Sequence, residues 1–140
     1  MATIKRFYDL EAWKKARALN SEIYKMTRAE SFKKDFALVD QTRRASISIM
    51  ANLAEGFGRK GTKEFLQFIS VAEGSLCELQ SHLFISLDLG YISQDEFKRA
   101  FDLTEETQRI VNGLAEYLRS TELKGMKFTK QSSTIKPLNS

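Results

Sequence analysis

The chain has 140 residues, of which 42% are hydrophobic and 29% are charged, and its net charge is +4; this balance is typical of a soluble globular protein with one domain. No apolar run approaches the roughly 20 residues of a membrane-spanning helix, and the N-terminus has no apolar signal region, so we expect neither a membrane anchor nor a secretory signal. The single cysteine, Cys77, excludes an intrachain disulfide and is expected in a reducing cytoplasm.

The positions of proline and glycine predict an all-α fold. The only proline is Pro137, so glycines rather than prolines mark the breaks between the elements. Apolar residues recur at helical spacing in four stretches, and helices that are joined by short links must be antiparallel neighbours. We therefore expect an up-down-up-down antiparallel four-helix bundle over residues 1–121. The basic tail over residues 122–140 is expected to be disordered or to depend on a partner.

The second of the first two predicted helices is rich in small residues. Helix 1 is predicted to run from Asp9, as its N-cap, to about Arg28. Helix 2 follows a cap at Asp35 and ends at the glycine-rich turn over residues 56–61. The middle of helix 2 is crowded with small side chains, which allow another helix to approach closely: Ala45, Ser46, Ser48, Ala51, Asn52 and Ala54.

The last two predicted helices have clear end signals. Helix 3 is predicted from Thr62 to about Leu89, with Gly90 as the left-handed residue that ends it. Gly74 in the middle of helix 3 would cost about 1 kcal/mol relative to alanine, so we expect its backbone to pack closely against the small residues of helix 2. Helix 4 begins at the capping box Ser93-Gln94-Asp95-Glu96.

Charge is distributed unevenly along the chain. Residues 1–63 contain 14 basic and 7 acidic residues, residues 64–121 contain 4 and 10, and residues 122–140 contain 4 and 1. The net charges of the three segments are therefore +7, −6 and +3. Such asymmetry indicates either a basic surface that attracts polyanions or complementary surfaces that attract each other within or between subunits.

The candidate nucleic-acid-binding residues are basic residues of the first segment: Lys14, Lys15, Arg17, Arg43, Arg44, Arg59, Lys60 and Lys63. Arg43 and Arg44 point about 100° apart on a helix, so one can contact phosphate while the other pairs with an acid. We expect at least one of them to form a structural or intersubunit salt bridge, with Glu73, Glu78 or an acid of helix 4 as the candidate partners. The last three residues lie at a turn and at a helix N-terminus, which also favours anions. The alternative for them is a solvated turn, in which Arg59 pairs with Glu55 one helical turn earlier.

The sequence predicts no catalytic site, no metal and no cofactor. Cys77 and His82 lie about 140° apart around helix 3, so they cannot readily form a nucleophile–base pair. No His, Cys and carboxylate residues have the spacing of metal ligands. Four aromatic residues could stack on bases, but their helical spacing favours a role in the core: Trp13, Phe57, Phe65 and Phe68.

Several segments of the chain resemble one known family. They are FYDLEAW (7–13), QTRRASISI (41–49), ANLAEGFGR (51–59), KEF (63–65), AEGSLCEL (72–79) and LGYI (89–92). Over about residues 7–118 the chain is similar to the four-helix-bundle family of proteins encoded in intervening sequences of bacterial 23S rRNA genes. This family includes the accessory variability protein of diversity-generating retroelements. Met50 departs from the family pattern, in which proline is usual at this position.

The resemblance implies a homopentamer with a positively charged surface and, from the retroelement member, nucleic acid and a reverse transcriptase as partners. Together with the charge pattern, it favours a non-enzymatic bundle that binds RNA or DNA through phosphate contacts with weak sequence specificity. The alternative is a protein-interaction scaffold, in which acidic helices 3 and 4 of one subunit face basic helices 1 and 2 of the next.

Overall fold

The computed structural model describes the backbone of residues 4–135 and the side chains of residues 4–123. After a 3-10 turn at Phe7–Asp9, the helices are α1 (Glu11–Thr27), α2 (Phe36–Gly58), α3 (Thr62–Asp88) and α4 (Gln94–Ile135). Helices α1 and α3 each pack against both α2 and α4, so the four helices close into a bundle. Because short links join consecutive helices, neighbours are antiparallel. The predicted all-α four-helix bundle is confirmed.

The core consists of the apolar stripes that the helical spacing predicts. The two central turns of each stripe are completely buried, and the following large side chains are among them: Leu19, Ile23, Ile49, Leu53, Ile69, Leu76, Leu79, Leu83 and Val111. Two buried threonines donate their hydroxyl hydrogens to backbone carbonyls one turn earlier, Thr42 to Leu38 and Thr107 to Leu103. These bonds satisfy polar groups that would otherwise be costly to bury.

Three predicted end signals are confirmed. Asp35 Oδ1 accepts a hydrogen bond from the backbone N–H of Leu38 at 3.1 Å, which caps α2. The capping box is complete, since Glu96 N–H donates to Ser93 Oγ at 3.1 Å and Ser93 N–H donates to Glu96 Oε1 at 2.9 Å. Gly90 has a φ of +74°, as expected for the left-handed residue after α3.

The start of α1 differs from the prediction. Asp9 lies in the preceding 3-10 turn, and the N-cap residue is Leu10, which makes no side-chain capping hydrogen bond. Aromatic packing explains the difference, because the Phe7 ring contacts the Trp13 ring edge-on at 5.2 Å and the Leu10 side chain is buried. Burial of this apolar segment fixes the entry into α1 more strongly than a carboxylate cap does.

The predicted close packing at Gly74 is wrong within the chain. A Cβ atom on Gly74 would meet nothing within 4 Å, whereas one on Gly56 would lie 2.7 Å from Phe68 Cβ and 2.9 Å from Phe65 Cδ1. The close approach falls at the end of the α2–α3 pair because only residues 59–61 join these two helices there. A short link forces their adjoining turns together.

Helix α4 is longer than the sequence predicts. It has 42 residues against 27 in α3, so at about 1.5 Å per residue it extends roughly 20 Å beyond the length of α3. The helix therefore continues past Thr121, where we expected the bundle to end. The expectation that residues 122–140 are disordered or depend on a partner stays a prediction, since the side chains after residue 123 and the backbone after residue 135 lie outside the described residues.

Candidate nucleic-acid interface

The opposite charges of the two halves remain largely unpaired when the chain folds. Among the described side chains there are six ion pairs, and five of them join residues three or four positions apart. One pair, from Lys15 Nζ of α1 to Glu106 Oε1 of α4 at 2.7 Å, connects two helices. The acidic residues of α3 and α4 therefore leave most of the basic charge of α1 and α2 unneutralised.

Four of the eight candidate cations belong to ion pairs. Besides Lys15, Lys14 pairs with an acid one turn earlier, Arg44 Nε with Asp40 Oδ2 at 2.8 Å, and Arg59 Nη2 with an acid on α2 at 3.1 Å. The last pair confirms the predicted contact between Arg59 and Glu55. The three local pairs are exposed, and such pairs contribute about 0–1 kcal/mol, so a phosphate can displace the carboxylate at little cost.

The other four candidates have no carboxylate within ion-pair distance among the described side chains. Arg17, Lys60 and Lys63 are exposed, and Arg43 is partly buried. Lys60 has a φ of +61°, which makes it the left-handed residue of the α2–α3 turn although three glycines lie nearby. A lysine, and not one of the glycines, therefore occupies the left-handed position of the turn.

Three candidate arginines lie over aromatic rings. The distances from the guanidinium carbon to the ring centroid are 5.8 Å for Arg17 and Trp13, 4.4 Å for Arg43 and Tyr24, and 5.3 Å for Arg59 and Phe68. The predicted core role of the aromatic residues is confirmed for Phe65, which is buried, and for Trp13 and Phe57, which are half-buried against the core. Cation–π contact restrains each arginine near the surface.

The bundle divides the candidates into two groups. Since α1 and α2 are antiparallel, the start of α1 and the end of α2 lie at the same end of the bundle, which we call the turn end. It carries six candidates: Lys14, Lys15, Arg17, Arg59, Lys60 and Lys63. Arg43 and Arg44 lie in the first half of α2, about 22 Å along the helix from Arg59.

A groove at the turn end contains Arg119, a cation that the sequence patterns do not indicate as a binding residue. It has a volume of about 510 Å³, lies between α3 and α4, and is lined by Lys63, Arg119 and Glu122, among others. Arg119 lies in the segment 64–121, which has a net charge of −6. The segment charges therefore gave no indication of a basic residue at this position. The predicted length of α4 could have indicated this contact. A helix that begins after α3 and runs back to the α2–α3 turn places its later residues beside Lys63.

A second groove lies beside Arg43 and Arg44, and we call it the tyrosine groove. It has a volume of about 530 Å³ and is lined by Tyr24, Asp40, Arg43, Arg44, Ile47 and Ser48. Although the two arginines point about 100° apart, both line the same opening. Tyr24 was missed because its contact with Arg43 depends on how α1 and α2 pack.

The described residues contain no group of three or more His, Cys, Asp and Glu side chains that could hold a metal ion. Cys77 is exposed, and the buried His82 Nδ1 has no hydrogen-bond partner within the described part of the chain. None of the described helices has the length and apolar character needed to cross a membrane.

Comparisons with known proteins agree with the fold. The family model described as 23S rRNA-intervening sequence protein matches residues 8–113. The chain is similar in structure to a crystallised protein of unknown function from the S23 ribosomal protein family of Bacteroides thetaiotaomicron, with a TM-score of 0.68 and 20% sequence identity. This match covers 74% of the present chain and 97% of the other, and at that identity it supports the fold alone. No curated protein matches the chain.

Proposed function

The chain belongs to the 23S rRNA-intervening sequence protein family. We propose that it is a non-enzymatic helical bundle that binds RNA or DNA through phosphate contacts. The observation that supports this proposal is the ion pairing: among the described side chains, one pair of six joins two helices. Surplus basic charge therefore remains on the first half of the molecule. Lysine and arginine residues that neutralise phosphates release counterions, which favours binding without reading the base sequence.

The turn end is the proposed main phosphate-binding surface. Lys60 and Lys63 are exposed and have no carboxylate partner among the described residues, and Arg119 lines the groove beside Lys63. Lys63 also lies in the first turn of α3, where free N–H groups and the helix dipole favour anions. With Arg59, four positive charges lie around one end of the bundle, together with the carboxylates of Glu55, Glu64 and Glu122.

The test is the salt dependence of binding to a fluorescent 20-nucleotide RNA. Each phosphate contact contributes roughly 0.7–0.9 to the slope of log K against log salt. A triple variant with Arg59, Lys60 and Lys63 changed to Ala should therefore flatten the slope by about 2. The matched control changes Lys98, Arg99 and Arg109 of α4 to Ala, which removes the same charge. An equal flattening in both variants would contradict a site at the turn end.

We further propose that the chain forms a homo-oligomer, and the family resemblance predicts five copies. Two features support assembly: Val71 is an exposed apolar residue on α3, and Glu73 and Glu78 have no ion-pair partner among the described side chains. A scaffold in which the acidic helices of one copy face the basic helices of the next is the second candidate function. Such a scaffold would dissociate as salt is raised, which sedimentation at 50 mM and 1 M salt would detect.

A reverse transcriptase partner is the most specific extension of this proposal and rests on the resemblance to the retroelement member. We expect the purified chain to bind a retroelement reverse transcriptase with micromolar or tighter affinity. Biolayer interferometry against that enzyme tests this, and the absence of binding at low salt would remove the enzyme from the proposed partners while leaving RNA and DNA.

A further inference from the structure

The tyrosine groove contains an arginine that is held in place but is not neutralised. Arg43 Nε donates a hydrogen bond to Thr27 Oγ1 at 2.9 Å, and the Thr27 hydroxyl in turn donates to the carbonyl of Ile23 at 2.8 Å. The guanidinium carbon lies 4.4 Å from the centroid of the Tyr24 ring. One hydrogen bond and one ring contact thus fix the guanidinium, and Thr27, its anchor, is buried.

The remaining donors of Arg43 have no assigned role in the fold. Its two terminal nitrogens make no hydrogen bond to any of the described residues, and no carboxylate lies within ion-pair distance of it there. Arginine's planar fork is well suited to bidentate contact with phosphate and to stacking on flat rings. The fixed guanidinium of Arg43 can therefore offer its remaining donors and its plane to a ligand in the groove.

The rest of the groove provides the other contacts that a nucleotide requires. Arg44 and Asp40 form a pair whose side chains are 73% and 57% exposed, so the guanidinium can exchange its carboxylate for a phosphate. Once Arg44 has exchanged its partner, Asp40 supplies carboxylate oxygens that can accept from base amino groups, and Ile47 supplies an apolar surface. Ser48 Oγ, which also lines the groove, is already bonded to Ser75 Oγ and to Asn52 Nδ2. The groove has a volume of about 530 Å³ and is open to solvent, so it can receive one face of a base but does not enclose a whole ligand.

We propose that the tyrosine groove binds one unpaired nucleotide of a nucleic-acid strand, with its base stacked on the Arg43–Tyr24 pair and its phosphate on Arg44. Bases stack on arginine guanidinium planes and on aromatic rings, but only when they are not already stacked within a duplex. The proposal rests on the nucleic-acid binding proposed above and refines it. The protein prefers single strands or unpaired loops to duplexes of the same sequence.

The experiment compares a fluorescent 12-nucleotide single strand with the duplex of the same sequence, at one salt concentration, using the full chain. Tyr24→Leu removes the ring, and Arg43→Lys keeps the charge but removes the plane. Stacking of one base is worth about 1–3 kcal/mol, so each variant should weaken single-strand binding at least about five-fold. Duplex binding and the salt slope should not change, because no charge is lost.

Tyr24→Phe is the matched control, since it keeps the ring, and the Tyr24 hydroxyl makes no hydrogen bond within the described residues. It should bind the single strand as the wild type does. If Tyr24→Leu unfolds at the assay temperature, Arg43→Lys alone decides. If AMP displaces the strand at an equal concentration, the groove binds free nucleotides. That result would contradict the proposal that its ligand is a nucleotide within a strand.

Two results separate this inference from the proposal on which it rests. Equal affinity for single strand and duplex, unchanged in Tyr24→Leu and Arg43→Lys, would overturn the stacking site and leave phosphate binding intact. A lack of binding to either probe at 50 mM salt would overturn both.

Discussion

At the scale of single residues, Gly56 in α2 and Gly74 in α3 differ in whether their surroundings require a glycine. Gly56 is required by contact, because a Cβ there would lie 2.7 Å from Phe68 Cβ, whereas Gly74 lies in open space. The sequence could identify Gly74 as unusual in a helix interior. It could not show that the close contact falls at Gly56, since that depends on which turns of α2 and α3 meet.

We expect Gly56→Ala to destabilise the protein by about 1–3 kcal/mol, because the new methyl group must displace a phenylalanine side chain or the helix backbone. Gly74→Ala should instead stabilise the isolated chain by up to about 1 kcal/mol, since alanine is the better helix former. Urea unfolding of both variants measures this. Equal effects of the two substitutions would contradict the assigned packing.

Lys60 combines an unfavourable backbone conformation with a candidate phosphate contact. Its φ of +61° costs a lysine roughly 1 kcal/mol that glycine avoids. Lys60→Gly should therefore raise the free energy of unfolding by about 0.5–1 kcal/mol, and Lys60→Ala should leave it within about 0.5 kcal/mol. Both remove the same charge, so both should weaken RNA binding equally. If binding instead follows stability across this pair, Lys60 does not act through its charge.

At the scale of elements, hydrogen bonds join the α1–α2 link to the α3–α4 link at the end of the bundle opposite the turn end. Ser31 Oγ, in the α1–α2 link, donates to the carbonyl of Tyr91 in the α3–α4 link at 2.8 Å. The Tyr91 hydroxyl donates to Asp35 Oδ2 at 3.0 Å, and its ring lies 5.3 Å from the Phe32 ring. Asp35 thus caps α2 with one oxygen and holds the other link with the second.

The hydrogen bond to Asp35, together with desolvation and the nearby carboxylate charge, raises the pKa of Tyr91 above its ordinary value near 10. A folded-state pKa above the unfolded one contributes stability that is complete below pH 10 and is lost as pH rises through the folded-state value. Tyr91→Phe should therefore lower the thermal midpoint at pH 7, and the difference from the wild type should shrink by pH 11.5. Thermal melts at both pH values measure it. A difference that is unchanged or larger at pH 11.5 would contradict this role.

Local patterns explain which elements could be predicted. The cap at Asp35, the capping box from Ser93 to Glu96 and the buried stripes all depend on residues within a few positions of each other, and each is confirmed. The start of α1 was mispredicted because the aromatic contact of Phe7 with Trp13 overrides a good capping residue. The end of α4 was missed because the helix continues where its sequence loses the apolar stripe.

At the scale of the whole molecule, folding leaves the two signs of charge on different helices. The sequence predicts the asymmetry, since it follows from counting. It could not predict that Lys15 and Glu106 would form the one described ion pair between helices, or that Arg43 would lie over Tyr24. Both contacts depend on the rotation of each helix about its axis. The candidate residues could therefore be identified from the positions of the basic residues in the sequence. The grooves in which some of them lie together could not be predicted.

The most direct test records RNA affinity and particle mass on the same wild-type sample between 50 and 300 mM salt. If solvent-exposed cations bind phosphates, log K should fall linearly against log salt with a slope of about −3 or steeper while the mass stays constant. A slope near zero would contradict the account. So would a mass that falls over the same salt range as the affinity, because the charges would then hold subunits together instead of holding RNA.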